Sequence, residues 1–158
     1  MSDHFDDLHA AAWTVCVSNL DVSTRFYCEG LGFKEGKTNT NVIEAGSDMA
    51  KAFGIPKGKS SGRFLSRGDI VLELVYFEEP KAIGDRKPRP TNTLGPRSLI
   101  FSTPNAKAIG ARLEQLGGKI THLTEAPPFD SLFVADPDGF VIQLVSLPHS
   151  AFQAALEK

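Results

Sequence analysis

The chain is poor in several residues and patterns that would announce a function. Among 158 residues there are two cysteines, one tryptophan, two tyrosines and two methionines. Cys16 and Cys28 show neither CxxC nor zinc-ribbon spacing, which argues against a disulfide scaffold, a redox motif or a structural zinc site and suits a reducing cytoplasm. There is no Lys/Arg run, and the formal net charge is −2. A nucleic-acid or anionic-membrane partner would leave a basic stripe, so neither is expected. No apolar run approaches the length of about 18 residues that a membrane span needs, and the start, Met1-Ser2-Asp3-His4, is polar and acidic. A secretory leader is therefore not expected either. With 41% apolar and 23% charged residues, the chain has enough material for a sizeable core.

What the chain does have is a duplication. Ile70-Val71-Leu72-Glu73-Leu74-Val75 and Phe140-Val141-Ile142-Gln143-Leu144-Val145 are near copies, and each closes a segment that begins strand, Asn, helix, Gly. In the first half a strand from Ala12 to Val17 leads to Asn19, a helix through Phe26-Tyr27, and Gly32. In the second, Ser98 to Thr103 leads to Asn105, a helix through Leu113, and Gly118, with the same Asn-to-Gly spacing. Such self-similarity implies two equivalent units that bury together what neither can bury alone.

Alternation and breakers fill in the rest. In the first unit a strand is expected near 33–42, a short helix over 45–54, a loop over 56–62, and a hairpin of 63–67 and 69–76 turning at Gly68. Residues 77–96 are charged, proline-rich and without periodicity, and read as a linker or as a mobile cover over a site. The second unit has a strand over 97–103, a helix over 105–116, strands over 119–123, 132–135 and 140–146, and a tight Asp136-Pro137-Asp138-Gly139 turn. The tail, 148–158, suits a short amphipathic helix.

Strand-helix-strand-strand-strand, twice, with Phe26-Tyr27 followed by Leu31-Gly32-Phe33 and a late Asp136-Pro137-Asp138-Gly139 before an apolar strand, resembles the vicinal oxygen chelate superfamily of glyoxalases, bleomycin-resistance proteins and extradiol dioxygenases. The resemblance covers about residues 8–147, with module one at 8–76, the linker at 77–96 and module two at 97–147. It implies an α+β fold of two βαβββ modules, each a curled half-barrel sheet, facing each other around a cavity. Fold alone does not settle the chemistry.

In metal-using relatives the cation is held by one side chain from the first and one from the last strand of each module, commonly His and Glu. Carried over, these positions fall at Ala12 and Ser98, seven residues before Asn19 and Asn105, and at Glu73 and Gln143. One carboxylate stands where four ligands would be needed, and neutral oxygens do not replace imidazole or carboxylate for a divalent transition metal. No metal and no other cofactor are expected. Strand parity turns His9 to the opposite face, His122 has no identifiable partner, and His4 and His149 lie near the ends.

Parity places Ala12, Thr14, Cys16, Val71, Glu73, Val75, Ser98, Ile100, Ser102, Val141, Gln143 and Val145 on the cavity face. Trp13, Val15, Val17, Leu72, Leu74, Leu99, Phe101, Ile142 and Leu144 then form the core. Such a lining suits a small organic molecule oriented by a few hydrogen bonds, and Arg63 and Arg97 are candidate anion anchors. Glu73 has two readings: a general base or acid that moves a proton on the ligand, or a hydrogen-bonded relic holding the modules in register. The function expected is correspondingly a metal-independent lyase or isomerase acting on a metabolite or xenobiotic through Glu73. The alternative is a non-catalytic protein that sequesters a small molecule. Exposed strand edges further imply a homodimer, with or without exchange of modules between chains.

Overall fold

A computed structural model describes residues 8–125 and 130–157. The first module runs β1 (Trp13–Cys16), α1 (Leu20–Arg25), a π-helical turn (Phe26–Gly30), β2 (Lys34–Ile43), α2 (Asp48–Phe53), β3 (Gly58–Arg67) and β4 (Ile70–Glu79). The second runs β5 (Ser98–Ser102), α3 (Ala106–Gln115), β6 (Lys119–Thr124), β7 (Ser131–Ala135) and β8 (Val141–Val145), and α4 (His149–Leu156) follows. Each module forms one four-stranded mixed sheet, ordered β1-β4-β3-β2 and β5-β8-β7-β6. The first strand lies parallel to the last in both, so the duplication read in the sequence is a duplication of topology. The fold is α+β, and the sheets do not close into a barrel.

The two Asn landmarks, alike in sequence, work differently. Asn19 Oδ1 accepts the N–H groups of Asp21 and Val22, both at 3.1 Å, and so caps α1. The Asn105 side chain makes no capping hydrogen bond to α3; its N–H donates to Thr103 Oγ1 at 3.1 Å. Ser47 caps α2, which ends at left-handed Gly54. The stretch 56–62, expected as a loop, is largely strand: β3 begins at Gly58 and pairs with both β2 and β4. Its small residues let neighbouring strands approach closely and leave Ser60 fully buried, a tertiary effect that overrides the weak strand propensity of a Gly/Lys/Ser run.

The modules are joined through their helix-bearing faces. Leu65, Leu72 and Leu74 of one sheet share a single apolar cluster with Leu132, Val134, Ile142 and Leu144 of the other, filled in between by Phe26, Tyr27, Phe33 and Leu113. Phe33 meets Phe101 edge to face, ring centres 6.3 Å apart. Of these, parity had placed Leu72, Leu74, Phe101, Ile142 and Leu144 in the core. Trp13 is the exception, 60% exposed at the rim of β1.

One polar contact crosses this core. The Tyr27 hydroxyl donates to Asp136 Oδ2 at 2.8 Å, while Asp136 Oδ1 accepts the N–H groups of Asp138 and Phe140 at 2.9 and 2.8 Å. The turn carboxylate is thus satisfied from the other module. Burial pushes the Asp136 carboxyl above its ordinary value, opposed by the hydrogen bonds from Tyr27 and the two amides. A carboxyl raised in this way contributes least to stability once the pH exceeds its folded value, because there the buried charge must be carried. The Tyr27 hydroxyl limits that cost, since it donates most strongly to the ionised form. Tyr27→Phe should therefore destabilise by about 1–3 kcal/mol at neutral pH, and by less below the ordinary carboxylate range. Urea unfolding at both pH values checks this, and an equal loss at each would contradict it.

Candidate functional site

Residues alternate along each strand, so the faces opposite to Leu72-Leu74 and Ile142-Leu144 turn away from the shared core. On the first of these faces Thr14 and Glu73 are directly opposed in the parallel β1-β4 ladder. Thr14 Oγ1 donates to Glu73 Oε2 at 3.1 Å. Glu73 is half-buried, and its other oxygen lies over Gly62, where a methyl group would sit 3.4 Å from it. Asn39, paired with Gly62 on β2, brings a buried side-chain oxygen without a hydrogen-bond partner to the same spot. On the second module the corresponding pair is Ile100 and Gln143. Ile100 is 46% exposed, and Gln143 Nε2 donates to Ser131 Oγ at 3.2 Å.

This geometry does not suit the cation of metal-using relatives. Ala12 precedes β1 and is exposed, Glu73 faces a threonine, and Gln143 is engaged with a serine. Among the described residues no group of three or more His, Cys, Asp or Glu is placed to hold a metal ion. His9 precedes β1 and His122 pairs across from Phe133 on β6. His149, at the start of α4, shares a hydrogen bond of 3.0 Å with Ser102 Oγ. His4 lies outside the described residues.

A cavity of about 590 Å³ opens between the edge strands β1 and β5, with the inter-module segment as its roof. It collects four of the site residues expected from sequence, Thr14, Cys16, Arg97 and Ser98, and Thr14 links it to Glu73. Ala12, Glu73, Ile100 and Gln143 are not on its wall. Arg63 lies on the helix side, 18% exposed, its Nη1 donating to Asp21 Oδ1 and Thr24 Oγ1, both at 3.1 Å, with Glu35 Oε1 3.3 Å from its Nε. Its guanidinium is thus already paired on that side, and across the ladder Arg63 faces Leu74 and not Glu73.

Sequence reasoning missed the other half of this cavity. Val15, Leu72, Leu99 and Phe140 form an apolar wall with Trp13 at its lip, and Arg86, Lys87 and Arg89 descend from the roof. Trp13, expected in the core, thus borders the cavity. An edge strand has no neighbour on one side, so residues of both parities reach the space beyond it. The roof is held by the turn of module two. Asp138 Oδ2 accepts the Ser18 N–H at 2.9 Å, and its Oδ1 lies 3.7 Å from Arg86 Nε. Gly139 has φ +89°, and a methyl group there would meet the Arg86 carbonyl carbon at 2.7 Å, so only glycine admits both the turn and the roof. Burial and the Asp138 charge push the Cys16 thiol above its ordinary value, which makes it a weak nucleophile.

Comparison with known proteins fits this architecture. Residues 3–144 match the Glyoxalase/Bleomycin resistance protein/Dioxygenase superfamily. A glyoxalase family protein from Bacillus cereus is similar in structure with a TM-score of 0.72 at 19% identity, covering 87% of this chain and 93% of that one. The trypanothione-dependent glyoxalase I of Leishmania major gives 0.59 at 22% identity, covering 91% and 90%. The fosfomycin resistance protein FosX from Mesorhizobium loti gives 0.55 at 16%, covering 92% and 97%. No curated protein matches. At these identities the solved structures speak for the fold, and the match over most of the sequence speaks for the family: the chain belongs to the glyoxalase/bleomycin resistance protein/dioxygenase superfamily.

Proposed function

We propose that this protein binds a small organic molecule in the crevice between β1 and β5 and moves a proton on it without a metal ion, as a lyase or isomerase with Glu73 as the base. The observation that carries this reading is the Thr14–Glu73 pair. Thr14 belongs to the cavity wall, and its hydroxyl holds one carboxylate oxygen while the other keeps its lone pairs. A ligand reaching past Thr14 can offer an acidic C–H to that second oxygen. The proton passes to Glu73, and the electron pair left on the substrate either accepts a proton at a neighbouring carbon or expels a leaving group. The donor set at Ala12, Ser98 and Gln143 offers a cation nothing comparable to imidazole. Sequestering without chemistry is the second reading, favoured by one fact: Glu73 stands behind Thr14 and not on the cavity wall itself.

Among the described residues β1, β2, β5 and β6 are sheet edges, and Val42 is 63% exposed. These features favour a homodimer, with or without exchanged modules. Among the described residues no helix is long and apolar enough to cross a membrane, and with two free cysteines a cytoplasmic setting fits.

Three outcomes test this. With a substrate in hand, Glu73→Gln should lower turnover by roughly a hundred- to ten-thousand-fold while ligand affinity changes little; unchanged turnover removes the catalytic role and leaves sequestering. Elemental analysis of untagged protein never exposed to chelator should find no stoichiometric Zn, Ni, Fe or Mn, and one tightly held ion per chain would refute the metal-independent reading. Light scattering at micromolar concentration should give twice the chain mass of 17.1 kDa, whereas a monomer mass counts against the dimer.

A further inference from the structure

We infer that the ligand of the crevice is an organic anion with a flat apolar body, its charged group held by Arg97 under the inter-module segment and its body lying against Trp13. The inference rests on the crevice being the ligand site, as proposed above, and adds the ligand class. Four cationic side chains border the cavity against two carboxylates, although the chain as a whole carries a net charge of −2. Positive charge is therefore concentrated here, and one of the two carboxylates, Asp138, is already engaged by Ser18 and Arg86.

Arg97 is the placed anchor. Its Nη2 donates to the Arg89 carbonyl of the roof, and its Nε is buried without a hydrogen-bond partner. Arg97 is also on the cavity wall, and a guanidinium is a planar cation suited to pair with carboxylate or phosphate. On the same cavity, Trp13 is 60% exposed, an indole with a free surface. Large aromatic side chains left open beside a cavity favour flat apolar or aromatic partners. A neutral ligand would leave the four cationic side chains without a counter-charge, and a small inorganic anion would leave Trp13 uncovered. An aromatic acid answers both.

Trp13 is the only tryptophan, so its emission reports from this site alone. Benzoate, cinnamate and phenyl phosphate, titrated into the full chain, should change Trp13 emission saturably. Benzamide and cinnamamide, matched in shape but uncharged, should bind at least about tenfold more weakly. Whichever of carboxylate or phosphate binds more tightly identifies the charged group. Arg97→Met should cost about tenfold or more in affinity, Lys107→Met on exposed α3 should cost nothing, and added salt should weaken the anions and not the amides. Equal affinity for acids and amides, an undiminished affinity in folded Arg97→Met, or no saturable change with any of the five compounds overturns the inference. Should Arg97→Met fail to fold, the double variant Arg86→Gln/Arg89→Gln on the exposed roof decides: weaker anion binding supports the inference and unchanged binding overturns it. Anion binding that survives alongside a fully active Glu73→Gln removes the proton-transfer reading and leaves the ligand class standing.

Discussion

Leu72 and Leu74 of the first sheet and Ile142 and Leu144 of the second lie in one apolar core, and this shared burial constrains the rest of the molecule. A sheet with one greasy face must cover it, and here each module covers the other's, with Phe26, Tyr27, Phe33 and Leu113 between them. Once the helix-bearing faces are committed to that core, the alternate faces with Thr14, Glu73, Ile100 and Gln143 are turned outward. The edges β1 and β5 are left bordering a gap that only the inter-module segment spans. The Tyr27–Asp136 hydrogen bond ties the turn of module two to the core of module one, and through that turn, by way of Asp138 and Gly139, the roof is held in place.

The chemistry available follows from this arrangement. The carboxylate at Glu73 is neutralised neither by a lysine nor by an arginine; its named partner is a threonine hydroxyl. The arginines are instead gathered on the roof and at the start of β5. This separation leaves the Glu73 carboxylate and the cluster of arginines in different parts of the crevice region. The glyoxalase superfamily supplies the scaffold, and among the described residues no group of three or more His, Cys, Asp or Glu is placed to hold a metal ion.

Much of the fold was legible because it rests on short-range rules. Period-two alternation identified β4 and β8 and sorted Leu72, Leu74, Ile142 and Leu144 to the core. Repetition of strand, Asn, helix, Gly identified the modules before any element was assigned. The rules failed where a residue's surroundings come from afar. The run 56–62 looked like a loop because glycine and serine have weak strand propensity, yet β2 and β4 recruit it from both sides. Trp13 obeys parity and is still exposed, because nothing packs beyond an edge strand. The partners of Arg63, namely Asp21, Thr24 and Glu35, were not legible either, because α1 and β2 bring them from afar. For the cavity roof the sequence offered one signal, a charged proline-rich stretch too long for an ordinary connection, and that signal could not say which side chains it would lower into the crevice.

Native-state hydrogen exchange tests the shared core most directly. If the two sheets bury one another, the amides of Leu72 and Leu74 on β4 and of Ile142 and Leu144 on β8 should exchange only through one common opening, with the same free energy and the same denaturant dependence. Separate opening free energies for the two strands would mean that each module is stable alone, that β1 and β5 are not held at a fixed distance, and that the crevice between them is not a built site.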